Sequence, residues 1–515
     1  MTLKRVLPSK NWNLSLLGPL FFTIASPLLL PGEVTLPAVL SNHMVIQRDQ
    51  PIHLWGWAQP GEGVSAEFRG GSQSTTADPL GHWTLYLAPQ KAGGPFSLTV
   101  KGSNTIVLDD VLVGDVWFAS GQSNMEMPLS GFPGNAVVTN AAEEIQNANH
   151  PEMRLLLVPH RASDYPQIDY EKTSWTACTP DTAAKFSAVA YFFGRAISQQ
   201  EHVPIGLIDA TWGGTPADAW VSLDGLSDDA SLMPVFSFWA DFSKNEADMA
   251  RIRAAERAED EAAKKAGQTP PVHPWHPDPA SWAPSKLYNG MVAPAVNLRI
   301  KGVIWYQGET NSANVRAHMY QKVFPALIGD WRRVWKEGAF PFLYVQISSF
   351  TSTENELWGV VREAQRRTLT MANTGMAVTL DIGDPHNVHP SDKQDVGARL
   401  ALAARAIAYG EKIEFSGPIY RQAAIEGAAE RVWFDHSTNG LKVKDGGDLQ
   451  GFEIAGGDHH FVPAQARIDQ DTVVVSSTDI SAPRYVRYAW ANAPAANLFN
   501  GDNLPASTFT SETED

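Results

Sequence analysis

The stretch GDVWFASGQSNMEM (114–127) carries an apolar run, Val116 to Ala119, that stops at Gly121 and leads straight into Gln122, Ser123 and Asn124. Glycine permits a tight turn, and a helix starting just after it aims unpaired N–H groups at whatever lies in front. Ser123 there can offer a hydroxyl for attack and its own N–H to a developing oxyanion. It can equally be a helix N-cap, the commoner fate of serine at such a place. Three other stretches bear on that choice. LIDATWGGTPADAW sets Gly213 and Gly214 after an apolar run, where a backbone without Cβ allows close approach of a ligand. VIWYQGETN sets Gln307 and Glu309 after another; a buried amide N–H₂ is a donor suited to an oxyanion, and both residues can instead be turn residues. DIGDPHNVHPSDKQDVGARLALAARAIAYG puts His389 on a loop before a helix, placed to take a serine proton and return it to a leaving alcohol. A structural histidine is the default for any one such residue; Ser, Gly, Gln and His at four strand ends of one sheet are harder to set aside.

The elements that must hold these residues are readable from periodicity. Residues 203–210, 301–307, 341–347 and 375–382 are short apolar runs without alternation, the pattern of buried parallel strands. Ser187–Gln199 has a helical face of Val189, Phe192, Phe193, Ala196 and Ile197. Strands alternating with helices over 111–410 predict an α/β domain, with a parallel sheet covered by helices on both faces. In such sheets ligands bind at the carboxyl ends of the strands. Ser391 and Gln394 read as a capping box for the helix after His389, which Gly410 ends. Period-two patterns in GVSAEFRG, HWTLYL and FSLTV predict an N-terminal β-sandwich over 31–110, and RVWFDH, GFEIAG, TVVVSS and YVRYAW predict a second one over 411–515. A charged, Ala-rich helix over 243–265 and the Pro/His/Trp-rich run after it mark an insertion at about 226–285, read as an irregular surface or lid rather than a metal site.

The 515 residues are too many for one core. A net charge of −16 argues against nucleic acid or an anionic membrane surface as partner. The single cysteine, Cys178, excludes an internal disulfide and a cysteine-built zinc site, and its surroundings lack a nearby base. Lys4, Arg5 and Lys10 precede the apolar LSLLGPLFFTIA, so residues 1–30 read as a cleaved signal, cut near Ala25, and predict a secreted or periplasmic protein. The oligomeric state is not encoded in any pattern seen here.

GQSNM, WGGTPADAW, WYQGETN and DIGDP…HP resemble the blocks of SGNH hydrolases of the sialate O-acetylesterase type. LPAVLSNHMVIQRDQPIHLWGWAQPGE, LYNGMVAP and YVRYAWANAPAANLFN look like the same group, so the resemblance spans roughly 34–510. It implies an SGNH, flavodoxin-like α/β fold flanked by β-sandwich regions, and removal of O-acetyl esters from sugars by a serine nucleophile, with no metal or cofactor. Carried over, Ser123 is the nucleophile and an oxyanion donor, Gly213 or Gly214 a second donor, Gln307 stands where many relatives have Asn, and His389 is the base. Many SGNH enzymes have Asp three residues before the histidine; this chain has His386. Asp384 is then the expected acidic member, with Asp381, Glu309 or none as alternatives. The substrate implied is an O-acetylated sugar, either sialic acid or a plant polysaccharide such as xylan or xyloglucan. Arg362, Arg366 and Arg367 are the cations considered for a sialate carboxylate, with no sign in the sequence that they reach the site. A non-catalytic carbohydrate-binding protein and a long-chain esterase are the competing classes.

Overall fold

A computed structural model describes residues 33–133, 137–271, 273 and 276–513; the stretch read as a signal lies outside them. The central sheet runs in the order Thr374–Val378, Phe342–Gln346, Gly302–Tyr306, Thr105–Gly121, Ile205–Thr211, His150–Leu157, Thr176–Cys178, and every neighbouring pair is parallel except the last. Strands Gly302–Tyr306, Phe342–Gln346 and Ile205–Thr211 are buried along their whole length, which is why their sequences do not alternate. The four predicted strands are all present. The last is shorter than 375–382, because Leu380–Ile382 turns into a 3₁₀ helix. Helix Ala188–Glu201 packs on one side with Ser187 as its N-cap, the Ser187 hydroxyl accepting from the Ala190 N–H.

The strand that delivers Ser123 is 17 residues long, Thr105–Gly121, and belongs to two structures at once. Its first six residues alternate between solvent and interior and pair antiparallel with Gly93–Lys101 in the N-terminal region. From Val111 onward it is buried on both faces; Val111 and Val113 still pair with Gly93–Lys101, and from Asp115 the strand pairs in parallel in the central sheet. The boundary expected at 110/111 therefore falls inside one continuous strand. The remaining N-terminal strands form a sheet extension, Val45–Gln47 and Gly63–Phe68 with its partners, plus the separate pair Ile52–Trp57 and His82–Leu87.

The C-terminal region is antiparallel, as expected, in two four-stranded sheets and one two-stranded ribbon. It docks on helix Trp358–Thr368 through Arg362. That guanidinium is fully buried and donates to backbone carbonyls of Ala489 (3.3 Å), Asn492 (3.3 Å), Ser348 (3.4 Å) and Ala491. The insertion holds helices Pro234–Ser243 and Glu246–Lys265. Its histidines pin the Pro-rich loop to the second of these: His273 lies 3.1 Å from Asp260 and His276 lies 3.1 Å from Glu256.

Candidate active site

The serine turn is built on close backbone contact. Gly121 has φ +133°, and a Cβ on it would lie 2.1 Å from the Tyr306 carbonyl oxygen of the neighbouring strand. Only glycine lets the chain leave the sheet here. Gln122 follows, extended, with its N–H donating to the same Tyr306 carbonyl at 3.0 Å. The short helix Ser123–Glu126 is capped by Gln122, not by Ser123, so the capping role does not occupy the serine. Among the described residues, none hydrogen-bonds the Ser123 hydroxyl.

Gly213 lies directly against the serine: a Cβ on it would stand 3.2 Å from Ser123 Cβ and 2.7 Å from a Glu126 carboxylate oxygen. The Gly213 N–H donates to Glu126 Oε2 at 2.5 Å. Gly214 adopts φ +69°, and its carbonyl accepts from the Trp282 indole N–H at 2.6 Å. Trp282 stacks on Phe242 of the insertion (5.0 Å), so the insertion braces the glycine turn. The other Glu126 oxygen is 3.0 Å from His160 Nε2, and the His160 ring stacks on Trp212 at 4.4 Å and 4°. Burial pulls the His160 imidazole down, but the bonded Glu126 carboxylate outweighs it and holds it above the ordinary histidine value.

Gln307 is fully buried and spends its N–H₂ on Asn311 Oδ1 (2.6 Å) and the Thr215 carbonyl (3.2 Å), tying two loops together. The amide expected to face an oxyanion is thus engaged inside the scaffold. Glu309 is buried beside it and accepts from Asn124 Nδ2 at 2.6 Å.

His389 is brought to the serine turn by Asn124, whose Nδ2 also donates to the Val388 carbonyl at 2.9 Å. Its N–H is held by Asn387 Oδ1 (2.9 Å) and its ring meets Phe132 edge-on at 5.2 Å. Burial, with the nearby Lys393 ammonium, pushes the imidazole down to about 4. Nδ1 is buried with no partner among the described residues. Asp384 instead accepts from the His386 N–H at 2.8 Å, because the Asp-Pro-His turn closes on its own aspartate. Asp381 is held at 2.6 and 2.8 Å by both arms of Arg399. Neither reaches the imidazole, and no hydrogen bond joins His389 to the Ser123 hydroxyl in this state. The helix after the histidine runs Lys393–Ile407 and is capped by Asp392, which accepts from the Asp395 N–H at 3.0 Å; the Ser391/Gln394 box is not formed.

Two open clefts flank the serine turn. One of about 490 Å³ holds Glu126, Phe132, His160, Lys172 and Lys185, and one of about 300 Å³ holds Trp212, Gly213, Gly214, Arg253 and Arg257. Arg253 is paired with Asp278 at 2.6 Å. Arg366 and Arg367 are both tied to Glu363 at 2.7 Å, and Arg362 to carbonyls as described, so none of the three arginines singled out in the sequence is a clamp. Asn124, Glu126, His160 and Lys393 have no role that the sequence alone assigns, although two of them sit within three residues of Ser123.

A family model described as "Carbohydrate esterase, sialic acid-specific acetylesterase" matches residues 271–406. A crystal structure of a carbohydrate acetylesterase from Xanthomonas citri superposes with a TM-score of 0.80 at 37% identity, covering 93% of this chain and 100% of that one. These likenesses place the chain in the class of carbohydrate esterases. Sialate O-acetylesterase of Rattus norvegicus is 30% identical over 92% of this chain and 93% of its own length. That of Homo sapiens is 34% identical over 74% of this chain and 72% of its own. The chain belongs to the sialate O-acetylesterase family.

Proposed function

We propose that the protein is an exported esterase that removes O-acetyl groups from sugars through an acyl-enzyme on Ser123. One observation carries the reading: Asn124, the residue after the serine, hydrogen-bonds the carbonyl of Val388, the residue before the histidine. The Ser123 hydroxyl attacks the acetyl carbonyl and gives its proton to His389. The tetrahedral oxyanion is met by the Ser123 N–H, by that of Gly214, and by that of Gly213 once Glu126 lets it go. The carbonyl re-forms as the sugar alcohol leaves with the proton from His389. Water, deprotonated by the same imidazole, then releases acetate and restores the serine. In this reading serine and histidine work as a pair, since among the described residues no carboxylate meets Nδ1.

Ser123→Ala should leave sugar binding intact and lower acetate release by about 10³-fold or more. Retained activity, or failure of wild type to take up a fluorophosphonate on Ser123, would overturn the reading. Comparable rates on p-nitrophenyl acetate and octanoate would move it to long-chain esters.

For the substrate, Arg257, Lys172 and Lys185 have no ion-pair partner among the described residues and face the two clefts, which favours a sugar bearing a carboxylate, as in sialic acid. The second reading is a neutral plant polysaccharide, xylan or xyloglucan, favoured by clefts that open on both sides of the serine and suit an extended chain. Mass spectrometry of acetate loss from acetylated sialosides, xylan and xyloglucan oligomers separates them. Export rests on the cationic and apolar N-terminus; an intact N-terminus on the mature protein would contradict it.

A further inference from the structure

Beneath the serine turn lie three polar groups that the reaction above does not use. Asn124, Glu309 and Lys393 are all buried and come from three separate elements. They bond in a row: Glu309 Oε1 accepts from Asn124 Nδ2 at 2.6 Å, and Asn124 Oδ1 accepts from Lys393 Nζ at 2.6 Å. The same Asn124 Nδ2 holds the Val388 carbonyl. Lys393 Nζ also stands 5.7 Å from the centre of the Tyr306 ring. Glu309 Oε2 is buried with no partner among the described residues. Taking an ammonium and a carboxylate out of water costs several kcal/mol each. A neutral pair would serve if the need were only to pin a loop.

We propose that the Asn124–Glu309–Lys393 unit positions His389, clamping its loop to the serine turn and setting the Lys393 ammonium beside the imidazole. This rests on His389 being the base. The groups acting on the imidazole are the Phe132 ring, Glu126 from the serine helix and Lys393 from the helix that follows the loop. Glu126 favours the imidazolium; burial and Lys393 oppose it and prevail. Those acting on Lys393 are Glu309 and Asp392, with Tyr306 in ring contact. Burial brings the ammonium down to about 7. Below that pH the lysine is charged while the histidine is still neutral, so the base stays available through the acid range.

The test uses the full chain with histidines labelled for NMR, following the His389 imidazole and the acid limb of kcat/KM together. Lys393→Met should move both upward by about one pH unit, and Lys393→Arg should bring the limb back. A folded Lys393→Met protein whose imidazole titration and acid limb match wild type would reduce the unit to packing and overturn the proposal. If Lys393→Met does not fold, the double variant Glu309→Gln, Lys393→Met removes both charges at similar volume, and the same shift, or its absence, decides. Should His389→Ala retain activity, the base assignment falls; the imidazole titration still reports on the unit itself.

Discussion

Replacing Gly213 with alanine adds one methyl group where the structure leaves no room for it. The added carbon would sit 3.2 Å from Ser123 Cβ and 2.7 Å from Glu126 Oε2. Carbon atoms rest at about 3.5 Å or more, so the serine must yield by about 0.3 Å and the carboxylate by rather more. Gly213 is not among the residues with positive φ, so the backbone itself accepts alanine and the effect is contact alone. The 2.5 Å bond from the Gly213 N–H to Glu126 would be strained or lost. A bond to a charged group is worth about 1.5–3 kcal/mol, part of which water recovers at this half-exposed place. Catalytic groups tolerate about 0.5 Å of error, and misplacement by 1 Å can lower the rate about 10²-fold. The expected result is a fall in kcat of about 10- to 100-fold with a loss of about 1 kcal/mol in stability. Turnover of p-nitrophenyl acetate and the rate of fluorophosphonate inactivation measure the first, and a thermal melt the second. A Gly213→Ala enzyme with kcat within about twofold of wild type and an unchanged melt would mean that this backbone does not lie against the nucleophile.

Because catalysis needs the unprotonated imidazole and burial with Lys393 pushes His389 down to about 4, activity should persist as pH falls and halve near that value rather than near 6.5; a kcat/KM profile checks it. Arg362→Met should strip donors from the carbonyls of Ala489, Ala491 and Asn492 and cost about 2–4 kcal/mol, read by urea unfolding, with the C-terminal sheets losing protection from hydrogen exchange first.

The central strands were legible because burial on both faces writes itself as unbroken apolar runs, and the serine turn because Gly121 interrupts one. The helix start after His389 was misread by one residue: Ser391 and Asp392 are both cap formers, and only the backbone path decides between them. Gln307 has the chemistry of an oxyanion donor, but Asn311 and the Thr215 carbonyl, brought in by the fold, claim its N–H₂ first. Asp384 looked available because a sequence does not display that its carboxylate folds back on His386. The Lys393–Asn124 contact joins residues 269 positions apart, a separation at which no periodicity or spacing carries a signal. Glu126 is the instructive omission: it stands one helical turn from Ser123, in plain sight, yet its partner Gly213 is recruited from another strand end.

Thr105–Gly121 has a consequence for anyone dividing this chain into parts. At roughly 3.3 Å per residue, those 17 residues make a girder of at most about 55 Å, bent at Asp110 (φ +54°), that begins in the outer layer and stops two residues short of the reactive hydroxyl. Removing the leading module at its apparent border would sever that girder mid-span, so a shortened enzyme should begin upstream of Thr105 or carry a replacement for the lost half. Tension applied to the outer layer would travel along the same beam toward the nucleophile, meeting the bend at Asp110 on the way.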